Sequence, residues 1–261
     1  MTSSILVIVL VCLAAGAGAG LGTGFAGLSA AAVITPMITA FLGVDPYTAV
    51  GIALASDVLA SAVSAWTYWR NKNIDIRNGL IMMACVLIMT VCGSWLASLL
   101  PSSSMGTFSV FMTMLLGIKF IVKPVMTTRE AMEKADPKKR AIQSAVCGCG
   151  IGLICGFVGA GGGMMMLLIL TSVLHYELKT AVGTSVFIMS FTALTGAISH
   201  FAMASAAPDP LILILCVVFT LVFARIGSRF ANKADAALLN RLTGIILVVI
   251  GVVVIGVNLL G

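Results

Sequence analysis

The stretch Gly16–Gly51, GAGAGLGTGFAGLSAAAVITPMITAFLGVDPYTAVG, is written a second time as Gly148–Gly183, GCGIGLICGFVGAGGGMMMLLILTSVLHYELKTAVG. Adding 132 to the residue number carries Gly20-Leu21 onto Gly152-Leu153, Gly24-Phe25 onto Gly156-Phe157 and Gly27 onto Gly159. The same shift carries Thr48–Gly51 onto Thr180–Gly183, and Asp45 onto Glu177. Further on the copies run two residues out of step, pairing Gly93-Ser94 with Gly227-Ser228 and Gly117 with Gly251. The chain therefore reads as two fused copies of one unit, which in an apolar protein is the mark of a transporter built from internal repeats.

Composition sets the class. Hydrophobic residues make up 60% of the chain and charged residues 9%, against about 25% charged in soluble domains. No water-soluble fold hides that much apolar surface, so the chain is read as an integral, multi-pass protein of the cell (inner) membrane. Met1–Ser4 offers no basic leader and no A-x-A site follows the first apolar run, so that run is expected to be retained. The seven cysteines, Cys12, Cys85, Cys92, Cys147, Cys149, Cys155 and Cys216, lie in apolar segments and are read as packing residues. Cys147-x-Cys149 lacks the companions of a metal site, so neither a metal nor a cofactor is expected.

A helix needs about 20 apolar residues to cross a bilayer. The first half supplies apolar stretches at Ile5–Gly22, Gly27–Leu42, Tyr47–Trp69, Leu80–Leu100 and Met105–Val122. The second supplies Ala141–Ile154, Gly163–Leu174, Thr180–Met203, Leu211–Gly227 and Leu238–Leu260. No alternating strand pattern is present, so the expected fold is all-α. The division is a first membrane repeat over residues 1–123, a basic cytoplasmic linker over 124–140 and a second repeat over 141–261. The linker's mixed charges suggest a short surface helix.

Within each copy only glycine separates the first two stretches: Gly20–Gly27 and Gly156–Gly163. Such runs read either as close helix packing through small residues or as helices broken at membrane depth, where cavities form. Their matched places in both copies, and the shortness of Gly163–Leu174, favour a glycine-broken helix pair in each repeat.

Basic residues cluster at Arg70–Arg77, Lys123–Arg140 and Arg225–Arg241, whereas Pro101–Ser104 carries no charge and Ala204–Pro210 only Asp209. Basic loops stay cytoplasmic. The expectation is two inverted repeats with both termini outside the cytoplasm. Topology accounts for the net charge of +6 without a nucleic-acid partner.

The duplicated glycine entry, the run Ala181–Ser185 and the Gly-Ser pairs at Gly93 and Gly227 resemble the TauE/SafE family of sulfite-exporter-like membrane proteins. The likeness covers nearly the whole chain. It implies secondary transport, in the export direction, of small sulfur-containing anions such as sulfite, sulfoacetate or related sulfonates. The first copy departs from the pattern, with Ile52-Ala53 in place of Thr-Ser. An anion channel of the same fold, or a permease for a non-sulfur carboxylate, remains open. An enzyme is disfavoured: there is no metal set, no nucleophile–base pair, and Gly156–Gly163 lacks the Gly-Lys-Ser/Thr ending of a phosphate loop.

Helix starts offer unpaired N–H groups to an anion, and glycine admits it closely. The candidates are Gly24, Gly27 and Ser29 in the first copy and Gly159, Gly161, Gly162 and Gly163 in the second. Thr23, Thr184 and Ser185 are possible hydroxyl donors; a bond back to their own helix is the alternative for each. Asp57 lies mid-segment where the second copy has Met189. An acid there is a functional candidate, for carrying a coupling proton rather than holding an anion; the alternative is a structural bond to Ser56 or Ser61. His200 is expected near an interface. The expected partners are a small anion, the lipid bilayer and a coupling proton, with a homodimer left open.

Overall fold

The computed structural model describes residues 5–97, 118–125, 127–133, 136–158, 162–203 and 207–260. Among them there is no strand. The helices are α1 (Ile5–Ala26), α2 (Ala31–Leu42), α3 (Pro46–Arg70), α4 (Ile76–Ala97), α5 (Arg129–Glu133), α6 (Pro137–Val158), α7 (Gly162–Ser172), α8 (Leu178–Met203), α9 (Pro210–Lys233) and α10 (Ala236–Leu260). The apolar stretch expected at Met105–Val122 is described only as helix over 118–122. Pro101–Ser104, Gly159 and Gly161 lie outside the described residues. α6 opens at Pro137, inside the stretch read as linker, and the linker's surface helix is the single turn α5.

The duplication extends to the helix ends. Adding 132 to the bounds of α1 gives 137 and 158, the bounds of α6. The same shift takes α3 to within a residue of α8. It also takes Gly43, the left-handed residue that ends α2 at φ +66°, onto His175, which is left-handed at φ +52° three residues past the end of α7. Local signals explain the starts. Asp45 caps α3 by accepting from the Thr48 N–H at 3.1 Å, and Asp209 caps α9 by accepting from the Leu211 N–H at 2.8 Å. Each cap is followed by proline at the first helical position, where its missing N–H is no loss.

Among the described residues, five helices are long and apolar enough to cross a membrane: α1, α3, α8, α9 and α10. By contrast α2 has 12 residues and α7 has 11. At about 1.5 Å per residue they reach some 16–18 Å, roughly half of a hydrocarbon core of about 30 Å. The outer faces are apolar, with Ile88, Val91, Ile142, Val146, Ile226 and Val253 exposed. On a soluble protein that surface would aggregate; in a bilayer it is the lipid contact.

Packing is exchanged between the halves. α1 lies along α9 and α6 lies along α4, while α3 packs on α8 and α9. Glycine makes the first two contacts close. Gly16, Gly20 and Gly24 recur every four residues on α1 and rest on α9 backbone from Phe219 to Ser228. Gly148 and Gly152 do the same for α6 against Met82 and Val86 of α4. This moves the end of the first stretch, expected at Gly22, to Ala26. α1 stays helical through Gly24, whose role is interhelical approach, and the chain leaves the helix only at Gly27. α3 and α8 run antiparallel: Gly51 meets His200 and Phe201, and Gly183 meets Tyr68 and Asn73.

A polar cluster joins the loop after α3 to the second half. The Asp75 carboxylate accepts from Tyr176 Oη at 2.8 Å and from Asn78 Nδ2 at 2.7 Å, with Arg140 at 4.0 Å. The Asp75 N–H donates to Thr184 Oγ1 at 3.1 Å.

A methyl group added at Gly20 would stand 2.5 Å from the Thr220 carbonyl oxygen and 2.8 Å from the Ala224 nitrogen, whereas at Gly150 it would meet nothing within 4 Å. Gly20→Ala is expected to destabilise the protein by about 1–3 kcal/mol, the usual range for overpacking. Gly150→Ala is expected to be neutral or stabilising, by up to about 1 kcal/mol from helix propensity. Thermal melts of the detergent-purified variants check both.

Candidate transport site

A helix that stops inside a bundle leaves its last carbonyls without partners. At the end of α1 they are answered one by one. Tyr68 Oη, on α3, donates to Gly24 O at 2.8 Å, and Thr243 Oγ1, on α10, donates to Phe25 O at 3.2 Å. The Gly27 and Leu28 N–H groups return to Thr23 O and Gly22 O. Thr23 Oγ1 reaches both Ala19 O at 2.9 Å and Leu28 O at 2.7 Å. Gly27 makes the turn at φ +61°, a conformation that disfavours any residue with a Cβ.

The two breaks touch. A Cβ on Gly163 would fall on the Gly27 carbonyl oxygen, with Met189 Sδ at 2.6 Å and the Ser29 nitrogen at 3.1 Å. From α8, Ser185 Oγ donates to Gly163 O at 3.4 Å and would stand 2.9 Å from a Cβ on Gly27. Beside this crossing is a cavity of about 480 Å³ between α2, α3, α4, α7 and α8, within the usual ligand-pocket range of about 300–1,000 Å³. Ser29, Asp57, Gly162 and Gly163 line it, together with Thr90, Met189 and His200.

Asp57 is 1% exposed. Its carboxylate accepts from Ser29 Oγ at 2.7 Å and from Ser61 Oγ at 2.9 Å. Ser56, the other expected partner, donates to Ile52 O instead. Ser29 Oγ in turn accepts from the Ala31 N–H at 3.4 Å. A chain of bonds thus runs from the first turn of α2 through Ser29 to Asp57, so an internal acid already answers that positive helix end. The equivalent residue in the second copy is Met189, and both positions line the cavity. There the start of α7, at Gly162 and Gly163, faces the cavity beside a thioether rather than a carboxylate.

The remaining sequence candidates are placed elsewhere. Thr23 and Gly24 are buried in α1, the first bonded to its own backbone and the second against α9. Thr184 belongs to the Asp75 cluster, and Ser185 sits under the crossing rather than on the cavity wall. Thr90, Met166, Met189 and Cys155 line the cavity without having been singled out. For Met189 a signal existed, since it is the repeat mate of Asp57. His200 lines the cavity, stacks on Tyr47 with ring centroids 4.5 Å apart, and leaves Nδ1 without a partner among the described residues.

Apolar spans, paired half-length helices and a small polar-lipped cavity at their meeting point define a multi-pass membrane transport protein. The family model described as "Sulfite exporter TauE/SafE" matches residues 12–254. The chain belongs to the TauE/SafE family. It is 22% identical over 217 residues to "Probable membrane transporter protein YdhB" of Bacillus subtilis (strain 168), covering 83% of this chain and 88% of that one. It is 24% identical over 246 residues to "Probable membrane transporter protein YunE" of the same organism, covering 86% and 89%.

Gly163→Val would force the two breaks apart. Transport is expected to fall at least about tenfold, the scale that misplacing a binding geometry by about 1 Å reaches or exceeds, while the protein still inserts. Flux in proteoliposomes, alongside membrane yield and a gel-filtration profile, checks this.

Proposed function

We propose that the protein is a secondary transporter that exports small sulfur-containing anions, such as sulfite, sulfoacetate and related sulfonates, by alternating access. The site is the cavity at the crossing of the two breaks, near mid-membrane, and the two repeats are inverted. The observation that carries the reading is the contact of Gly27 with Gly163 beside a cavity whose two helix starts differ. The start of α2 is bonded through Ser29 to Asp57, and the start of α7 lines the cavity beside Met189. An anion would lie at Gly162 and Gly163, with Ser29 as a further hydroxyl.

Several features support the wider scheme. α3 and α8 run antiparallel, as inverted repeats require. The cavity is lined by α8 from Met189 to His200, while the Asp75 cluster ties the opposite end of α8, at Thr184, to the loop after α3. A polar tie that breaks and reforms at one end is the kind of element alternating access needs. Asp57 is placed to carry a proton: as a carboxylate it would repel an anion in the same cavity, and as the acid it would not. Proton binding and anion binding are thereby linked.

The test is flux of sulfite, sulfoacetate, sulfate, thiosulfate and carboxylates in proteoliposomes under imposed proton gradients. Wild type is expected to accumulate a sulfur oxyanion against its gradient when protons are supplied. Asp57→Asn is expected to lose the response to the proton gradient with affinity changed less than about threefold. Flux that only dissipates gradients would make the protein a channel, and an unchanged gradient response in Asp57→Asn would remove the coupling role.

A further inference from the structure

There is a second cavity, also of about 480 Å³. It is a groove between the last turns of α3 and α9, lined by Trp66, Thr67, Arg70, Arg225 and Arg229. It shares no lining residue with the transport cavity. No carboxylate lines it, and none of the three arginines has an ion pair among the described residues. Three guanidinium groups around one groove repel one another unless an anion sits between them.

The surroundings say which kind of anion. Trp66 and Trp69 are 57% and 49% exposed and lie together, with ring centroids 5.0 Å apart. Tryptophan exposed at the end of a membrane helix marks the headgroup level. Below the groove, α3 exposes Leu59, and α9 exposes Val218 and Val222. That is an apolar track, suited to acyl chains, leading up to a cationic head. A free phosphate would use the arginines and leave the track unused; a phospholipid uses both.

We propose that this groove binds the phosphate headgroup of an anionic phospholipid, such as phosphatidylglycerol, from the leaflet on the basic side of the protein. Arg225 and Arg229, one turn apart on α9, and Arg70 on α3 hold the phosphate. Trp66 flanks the glycerol region. Basic pockets between membrane helices recognise anionic headgroups in this way. The lipid would bridge α3, which carries Asp57, to α9, which carries the glycine contacts of α1.

Brominated acyl chains quench nearby tryptophan, so lipid occupancy is readable directly. The experiment uses the full chain in a Trp95→Phe background, leaving Trp66 and Trp69 as reporters, titrated in detergent with brominated phosphatidylglycerol or brominated phosphatidylcholine. Phosphatidylglycerol is expected to quench at lower concentration. That preference should fall about fivefold for each of Arg225→Gln and Arg229→Gln, the factor corresponding to about 1 kcal/mol per basic residue. Arg225→Lys and Arg229→Lys should retain most of it. Equal quenching by the two lipids in the parent protein overturns the proposal, and so does an unchanged preference in folded glutamine variants. Displacement of phosphatidylglycerol by millimolar inorganic phosphate also overturns it, assigning the groove to free anions. If a glutamine variant fails to fold, the parent's lipid preference and its resistance to phosphate decide.

Discussion

A backbone that stops being helical inside a membrane must still have every N–H and C=O answered, and the end of α1 is where this protein meets that demand. Each unsatisfied group in hydrocarbon costs several kcal/mol. Tyr68, Thr23 and Thr243 meet the exposed carbonyls from three different helices. The arrangement therefore fixes α3 and α10 as well as α1. Glycine at 163 then lets the second break press against the first, with no side chain between them. The cavity exists because two half-length helices start where full spans would otherwise fill the space.

The halves are alike in backbone and unlike in chemistry. Tyr68 and His200 are repeat mates: one donates to Gly24 O, and the other lines the cavity with Nδ1 unpartnered among the described residues. Asp57 and Met189 are mates that line one cavity. In the proposed scheme, a symmetric pair of acids would leave two negative charges beside the bound anion, and a pair of thioethers would leave no proton carrier. One of each would separate the two tasks, with the proton in the first copy and the anion in the second.

The chain's class, its repeat and the break after α1 were legible because glycine spacing and apolar length record backbone demands, which the sequence carries locally. The place of the break was less legible. Gly16, Gly20 and Gly24 carry the same composition signal as a break, yet their spacing of four residues puts them on one helix face against α9. Ser29 was read as a ligand donor from its position alone. Its bond to Asp57 spans 28 residues and depends on how α3 crosses α2, which no local pattern encodes. Thr23 differs: its bond to Ala19 O is the local return to its own helix that the sequence already offered as the alternative. Asp57 was legible as a functional candidate because a mid-span acid is rare whatever surrounds it. Met189 carried a signal only through the repeat, as the mate of Asp57, because methionine in an apolar helix has no such rarity of its own.

The central claim is that an anion binds where the two breaks meet. Anomalous diffraction from crystals soaked with a selenium oxyanion that the protein transports would locate it directly. The account predicts a selenium peak in the cavity, within hydrogen-bond reach of the backbone at Gly162 and Gly163 and near Ser29. A peak confined to the arginine groove of α3 and α9, or an empty cavity at concentrations that support transport, would contradict it.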